Sequence, residues 1–155
     1  MKIVKALPKD AEEISKLRIN TIKSFPQDNP AQGELDFVIN RNTPESITDK
    51  INSRDIFNMV DKGKILGNIE LHEDRLNNLY VDKGRLKQGI GKKLLIFIED
   101  YAKKKGIKKL HLRSTPSAIE FYQKFGYKIV EIKKEVKNGI KMTHTLMEKE
   151  LKWHS

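Results

Sequence analysis

Cysteine is absent from the 155 residues. That removes disulfides, a thiol nucleophile, a thiolate zinc site and a redox pair together, and with them any covalent thioacyl-enzyme. No apolar run approaches the roughly 18 residues that a membrane span requires, so no membrane partner is expected. The opening segment MKIVKALPKD lacks a basic stretch followed by a long apolar core and a small-residue cleavage site, and the expected location is cytoplasmic. Acidic charge is in short supply: 21 Asp and Glu stand against 31 Lys and Arg, a formal net charge of +10. Such a surface attracts anions without choosing among nucleic acid, acidic protein, acidic lipid and a phosphorylated cofactor. The densest basic run, Lys103 to Lys105 with Lys108 and Lys109, reads as a solvated face at a helix end.

What is present fits one domain over residues 1–155. MKIVKAL alternates as a first strand, and Asp10 with Glu13 has the spacing of a capping box that opens a helix carrying Ile14, Leu17 and Ile22. Residues 24–43 are polar, with Pro26, Pro30 and Gly33, and predict a loop or broken helix. Thr43 followed by Pro44 starts a short helix through about Ser53. A hairpin about Lys62-Gly63 and the strand RLNNLYVD come next, then an amphipathic helix from about Gly91 to Lys105, closed by Gly106. The strand KKLHLR, a short helix after Thr115-Pro116 that ends at Gly126, and a hairpin about Asn138-Gly139 complete the chain. The predicted order is βααβββαβαββ: an α/β (α+β) fold with a mixed, largely antiparallel central sheet flanked by helices.

LYVDKGRLKQGIGKKLL, residues 79–95, carries the chemistry. A strand enters a turn with Gly89 and Gly91, and a helix N-terminus with unpaired amides and the positive end of its dipole follows. Arg85, Lys87, Lys92 and Lys93 surround it. Phosphate binding is the natural functional reading; a tight turn with incidental lysines is the plain structural one. A Walker loop fails, because Ile90 and Gly91 follow Gly89 where Lys and then Ser or Thr are required. A dinucleotide fingerprint fails as well, since Leu94 stands at the third glycine position.

Together with LHLRSTPSAIEFYQKFGYKIV further on, this stretch resembles the GNAT superfamily of acyl-CoA N-acyltransferases. The resemblance is best over Lys64 to Val130. The family pattern at the turn is Gln/Arg-x-x-Gly-x-Gly/Ala; Gly89 and Gly91 match it, and Leu86 departs from the first position. The resemblance implies acetyl-CoA as co-substrate, with its pyrophosphate on the backbone amides of Lys87, Gln88, Gly89, Ile90, Gly91 and Lys92. It implies that Leu79, Tyr80 and Val81 pair with the pantetheine arm, and that Tyr122 protonates the departing thiolate. Tyr122 also has a plain reading, packing with Phe121, Phe125 and Tyr127 at helical spacing.

The family's glutamate at the start of this strand is replaced by Arg75. Glu70 and His72, on one face of the preceding strand by period-two alternation, are the alternatives for a base acting through water, although polar residues on a strand face are the commoner case. His111, His144 and His154 are scattered, and no metal is expected. The implied activity is N-acetylation of a primary amine of a small molecule, peptide or protein by direct attack in a ternary complex. A non-catalytic acyl-CoA-binding or sensing domain is the alternative. Nucleic-acid binding has only the lysine excess in its favour, without an aromatic-basic strand signature or a recognition helix. Assembly as a homodimer is left open. Residues 25–41 and 134–142 are expected to shape the acceptor pocket, with an acidic patch of Glu70, Glu73 and Asp74 beside it.

Overall fold

The computed structural model describes residues 1–31 and 33–152, with the side chain of Asn78 also left undescribed. Among these residues seven strands form one sheet: β1 (Lys2–Lys5), β2 (Asp55–Asp61), β3 (Lys64–His72), β4 (Arg75–Val81), β5 (Lys109–Ser114), β6 (Lys128–Lys137) and β7 (Ile140–Glu150). Their spatial order is β1-β2-β3-β4-β5-β7-β6. Every neighbouring pair is antiparallel except β4 with β5. The α-helices among the described residues are α1 (Ala11–Ser24), α2 (Glu34–Asn40), α3 (Pro44–Ser53), α4 (Ile90–Lys104) and α5 (Ile119–Lys124).

The sheet carries an apolar core on each face. On one side Ile90, Leu94, Leu95, Ile98 and Ala102 of α4 pack over Leu66, Ile69, Leu76, Leu110 and Met147. That set is the i, i+4, i+8 stripe that the spacing predicts. On the other side Ile14 and Leu17 of α1 meet Ile47 and Ile51 of α3, above Ile56 and Ile65. Both predicted hairpin turns have two successive residues at positive φ, Lys62 (51°) with Gly63 (76°) and Asn138 (51°) with Gly139 (76°). That backbone matches the right-handed twist of the flanking strands.

The segment 24–43 is the broken helix of the two forms expected, with a 3-10 turn at Pro26–Asp28 and a two-turn helix, α2, set off by Gly33 at φ 81°. One local expectation is corrected. Asp10 does not form a box with Glu13, because a 3-10 turn at Pro8–Asp10 runs straight into α1 and already holds Asp10 in the helical region. Its carboxylate accepts the Leu7 N–H instead, at 2.8 Å. Glu13 reaches across to the Ile65 N–H at 2.7 Å and so fastens α1 to the start of β3.

Two irregularities prepare the site. The β3–β4 register slips between Glu70↔Asn78 and Leu71↔Leu76, leaving Asn77 as an extra residue on β4. The bulge shifts the side-chain alternation, so Leu76 and Leu79 both face the α4 core while Tyr80 packs on the α1 side. The β4–β5 ladder then holds only two residue pairs, Arg75↔His111 and Leu76↔Leu112, before the strands part.

Gly67 sets how close α4 approaches β3. A Cβ there would lie 2.8 Å from Leu94 Cδ1, 2.9 Å from Ile90 Cγ2 and 3.2 Å from the Tyr80 carbonyl oxygen. Gly67→Ala is expected to cost about 1–3 kcal/mol through overpacking, read as a lower urea midpoint at an unchanged slope.

Candidate functional site

A cavity of about 890 Å³ runs along the opened β4–β5 seam. Leu79, Tyr80 and Val81 line its middle, Lys87, Gly89, Ile90, Gly91 and Lys92 one end, and Tyr122 a wall beside the seam. Of the residues that the sequence nominated, Gln88 lies outside this lining and is exposed. Among the described residues the β4–β5 ladder ends at Leu76, so that side of β4 becomes an edge inside the fold.

At the turn, Lys87 and Gly89 have positive φ (65° and 78°). The first bond into the α4 ladder runs from the Lys93 N–H to the Gly89 carbonyl at 3.0 Å. The amides of Ile90, Gly91 and Lys92 precede it and point out of the helix N-terminus, where an anion is stabilised. A Cβ on Gly91 would touch Phe121 at 3.4 Å and Val81 at 3.6 Å, so the turn is seated against both β4 and α5.

Tyr122 is 7% exposed. Its ring makes edge contacts with Phe121 and Tyr127, at centroid distances of 5.4 Å and 5.6 Å. The packing reading of Tyr122 therefore holds. Burial, with a smaller contribution from Tyr80, pushes its phenol above the usual range, so it stays protonated at any working pH.

Glu70 is placed otherwise than expected. It is fully buried, and one carboxylate oxygen accepts Arg18 Nη2 at 3.0 Å. The other accepts Arg54 Nη1 at 2.6 Å and Asn77 Nδ2 at 3.0 Å. Burial by itself would raise the carboxyl, but Arg18, followed by Arg54 and Lys50, outweighs it and brings the pKa down to about 2. A carboxylate held that low has little affinity for an amine proton, so Glu70 is a structural anion and a poor base. His72 lines the cavity rim, with Nε2 3.8 Å from Glu73.

The expected acidic patch is also corrected. Glu70 is consumed by its arginines, and Glu73 and Asp74 are exposed in the β3–β4 turn outside the lining. The cavity beside them is basic instead: Arg41, Lys50, Arg54, Arg75, Arg113 and Lys137 line it, with His144. Its described carboxylates, Asp28 and Glu34, are engaged locally. Asp28 accepts the Ser117 N–H at 2.9 Å and the Ser117 hydroxyl at 2.5 Å, and Glu34 accepts the Ala31 N–H at 3.1 Å. The segments 25–41 and 134–142 do contribute walls, through Phe25, Phe37, Arg41, Lys137 and Met142.

Sequence reasoning missed Arg18, although it repeats the Ile14 and Ile22 positions on the apolar stripe of α1. Its guanidinium, 0% exposed, also donates to Asn68 Oδ1 from Nε at 2.9 Å and to Asn42 Oδ1 at 3.2 Å. Among the described residues no group of three His, Asp or Glu could hold a metal; His154 lies outside them.

The sequence model of the acetyltransferase (GNAT) domain matches residues 26–151. The chain belongs to the GNAT acetyltransferase family. No curated protein matches it. Among solved structures, a GCN5-related N-acetyltransferase from Rhodopseudomonas palustris superposes with a TM-score of 0.88 at 20% identity, covering 97% of this chain and 95% of the other. The PaiA N-acetyltransferase of Thermoplasma acidophilum, in complex with coenzyme A, gives 0.80 at 23% identity over 96% and 98%. YncA of Salmonella typhimurium, a putative acetyltransferase with its cofactor acetyl-CoA, gives 0.70 at 16% over 100% and 96%. At these identities the likeness is one of GNAT fold, and no helix among the described residues is long and apolar enough to cross a membrane.

Glu70 gives a signed prediction. Its folded-state pKa lies below the usual 4.5, at about 2, so its contribution to stability is complete above pH 4.5 and is lost as pH falls toward 2. Glu70→Gln should be less stable at pH 7 by about 3–5 kcal/mol, because Arg18 is left buried without its counterion. Denaturant titrations between pH 7 and 2 should show a flatter pH dependence for the variant than for the parent.

Proposed function

We propose that this GNAT domain transfers the acetyl group of acetyl-CoA to a primary amine by direct attack in a ternary complex. The observation that carries the reading is a single cavity joining the Gly89 turn, the edge of β4 where it parts from β5, and the buried Tyr122 phenol. The coenzyme A and acetyl-CoA complexes of the PaiA and YncA neighbours support it. On this reading the pyrophosphate sits on the amides of Ile90, Gly91 and Lys92, flanked by the Lys87 and Lys92 side chains. The pantetheine amides then pair with Leu79, Tyr80 and Val81, as an added strand pairs with a sheet edge.

The acceptor nitrogen attacks the thioester carbonyl carbon. A β4 backbone amide donates to the oxyanion, which is electrostatic stabilisation at the atom where charge develops. The C–S bond breaks, the thiolate takes the Tyr122 proton, and the proton lost by nitrogen returns to the phenolate through solvent. Holding both reactants in the seam supplies much of the rate.

No dedicated carboxylate base is required. Lys50, in the same cavity, has its ammonium pKa lowered by burial and by Arg18, Arg41 and Arg54, against the pull of Glu70, to about 8. An acceptor ammonium lodged there meets the same field and gives up its proton more readily than in water. Two copies would pair along the open edge of β6, where Ile129, Val130, Ile132 and Val136 are exposed; sedimentation equilibrium reads that assembly directly.

Calorimetry with acetyl-CoA, and with an analogue lacking the pyrophosphate, tests the cofactor reading, and thiol release tests turnover. Binding that weakens without the pyrophosphate is expected; no binding would end the proposal. Tyr122→Phe should lower kcat by about 10²-fold or more with acetyl-CoA affinity preserved, whereas a merely sensing domain has no kcat to lose. In the parent, kcat should rise with pH through an apparent pKa below that of the free acceptor amine. A profile that follows the free amine would remove the cavity field from the mechanism.

A further inference from the structure

At the cationic end of the cavity the cations outnumber the carboxylates that face them among the described residues. Arg75 opens β4, and its guanidinium makes no ion pair or hydrogen bond among the described residues, with Nε buried and unpartnered. Arg41 stacks over Phe37 at 5.6 Å and has no carboxylate partner among them. Arg113 Nη1 lies 3.4 Å from Glu135 Oε2, but that one carboxylate also faces Lys133 at 3.2 Å, Lys137 at 3.7 Å and His144 at 3.7 Å. Arg54 is committed to Glu70. Arg75, Arg113, Arg41 and Arg54 all line the cavity, and burial, reinforced by the other three and opposed by Glu135, pushes the Arg75 pKa down.

This cluster does not serve the turn at the other end. Val81, at the far end of β4, is the residue that adjoins Gly91, and six strand steps from Arg75 cover roughly 20 Å. An anion at Arg75 is therefore a different anion from one at the Gly89 turn. A guanidinium with a buried, unpartnered Nε, beside two further guanidinium groups, suits a planar carboxylate or a phosphate, which arginine binds in forked geometry.

We propose that the acceptor is an amine that also carries a carboxylate or phosphate group, held by Arg75 and Arg113 with Arg41 beside them. The proposal rests on the acetyl-transfer reading, since it takes this end of the cavity as the acceptor subsite. The bound anion turns the amine toward the β4–β5 seam, and the formal charge of +10 favours its approach over that of a polycation.

The test is calorimetric titration of the protein saturated with CoA, using matched probes: β-alanine against propylamine, and phosphoethanolamine against ethanolamine. At least one probe that carries the anionic group should bind 10-fold or more tightly than its partner without it, and the better pair tells carboxylate from phosphate. Arg75→Gln should abolish the difference, with CoA affinity retained as the mark of an intact fold. Arg113→Gln is the second variant, should the first fail to fold. Equal binding of probes with and without the anionic group, or a preference unaffected by either variant, overturns the proposal while leaving acetyl transfer in place. Failure to bind CoA removes the acetyl-transfer reading instead, and the same titrations without CoA then decide whether the arginines hold an anion at all.

Discussion

A single buried carboxylate fixes the relation of the helices to the sheet. Glu70 on β3 receives Arg18 from α1, Arg54 from the residue that follows α3, and Asn77 from the bulge of β4. Ion pairs taken out of water seldom add stability over an apolar replacement, because desolvation offsets the Coulomb attraction. What this one adds is position. A pair of leucines would accept several registers of β4 against β3, but a carboxylate with three fixed donors accepts one. The bulge at Asn77 thus stays where it is, and with it the parting of β4 from β5 that opens the cavity.

The elements were legible because the chain is regular where it builds cores. Leu94, Leu95, Ile98 and Ala102 recur at helical spacing, and Asn138-Gly139 names its own turn. The turn at Gly89 and Gly91 was legible for the same kind of reason, since it combines a backbone requirement with a short motif. The network beneath the site was not. Arg18 sits on an apolar stripe, where an arginine ordinarily reads as a surface residue, and only partners 24 to 52 residues distant in sequence, Asn42, Asn68 and Glu70, make it a buried one. Glu70 reads as a strand-face carboxylate until those partners are known.

The charge of the acceptor end was misread for a related reason. Its cations come from α3, the loops flanking it, β4, β5 and the β6–β7 hairpin, each contributing one or two, so no stretch of sequence looks basic there. The acids expected to balance them are close in sequence, Glu70, Glu73 and Asp74, and close spacing suggested a patch. A bulge and a tight turn send them in different directions. Gly67 was missed similarly: its constraint is the approach of α4, which no local pattern encodes.

The joining of Asp28 to Ser117 has a consequence of another kind. These residues lie 89 positions apart in the chain, and their two hydrogen bonds are exposed to solvent. Water competes for such bonds, so the Asp28–Ser117 contact is of the kind that opens at a cost set by local fluctuation, below that of global unfolding. Amide protons beside it are accordingly expected to exchange ahead of those of α4 and the central strands.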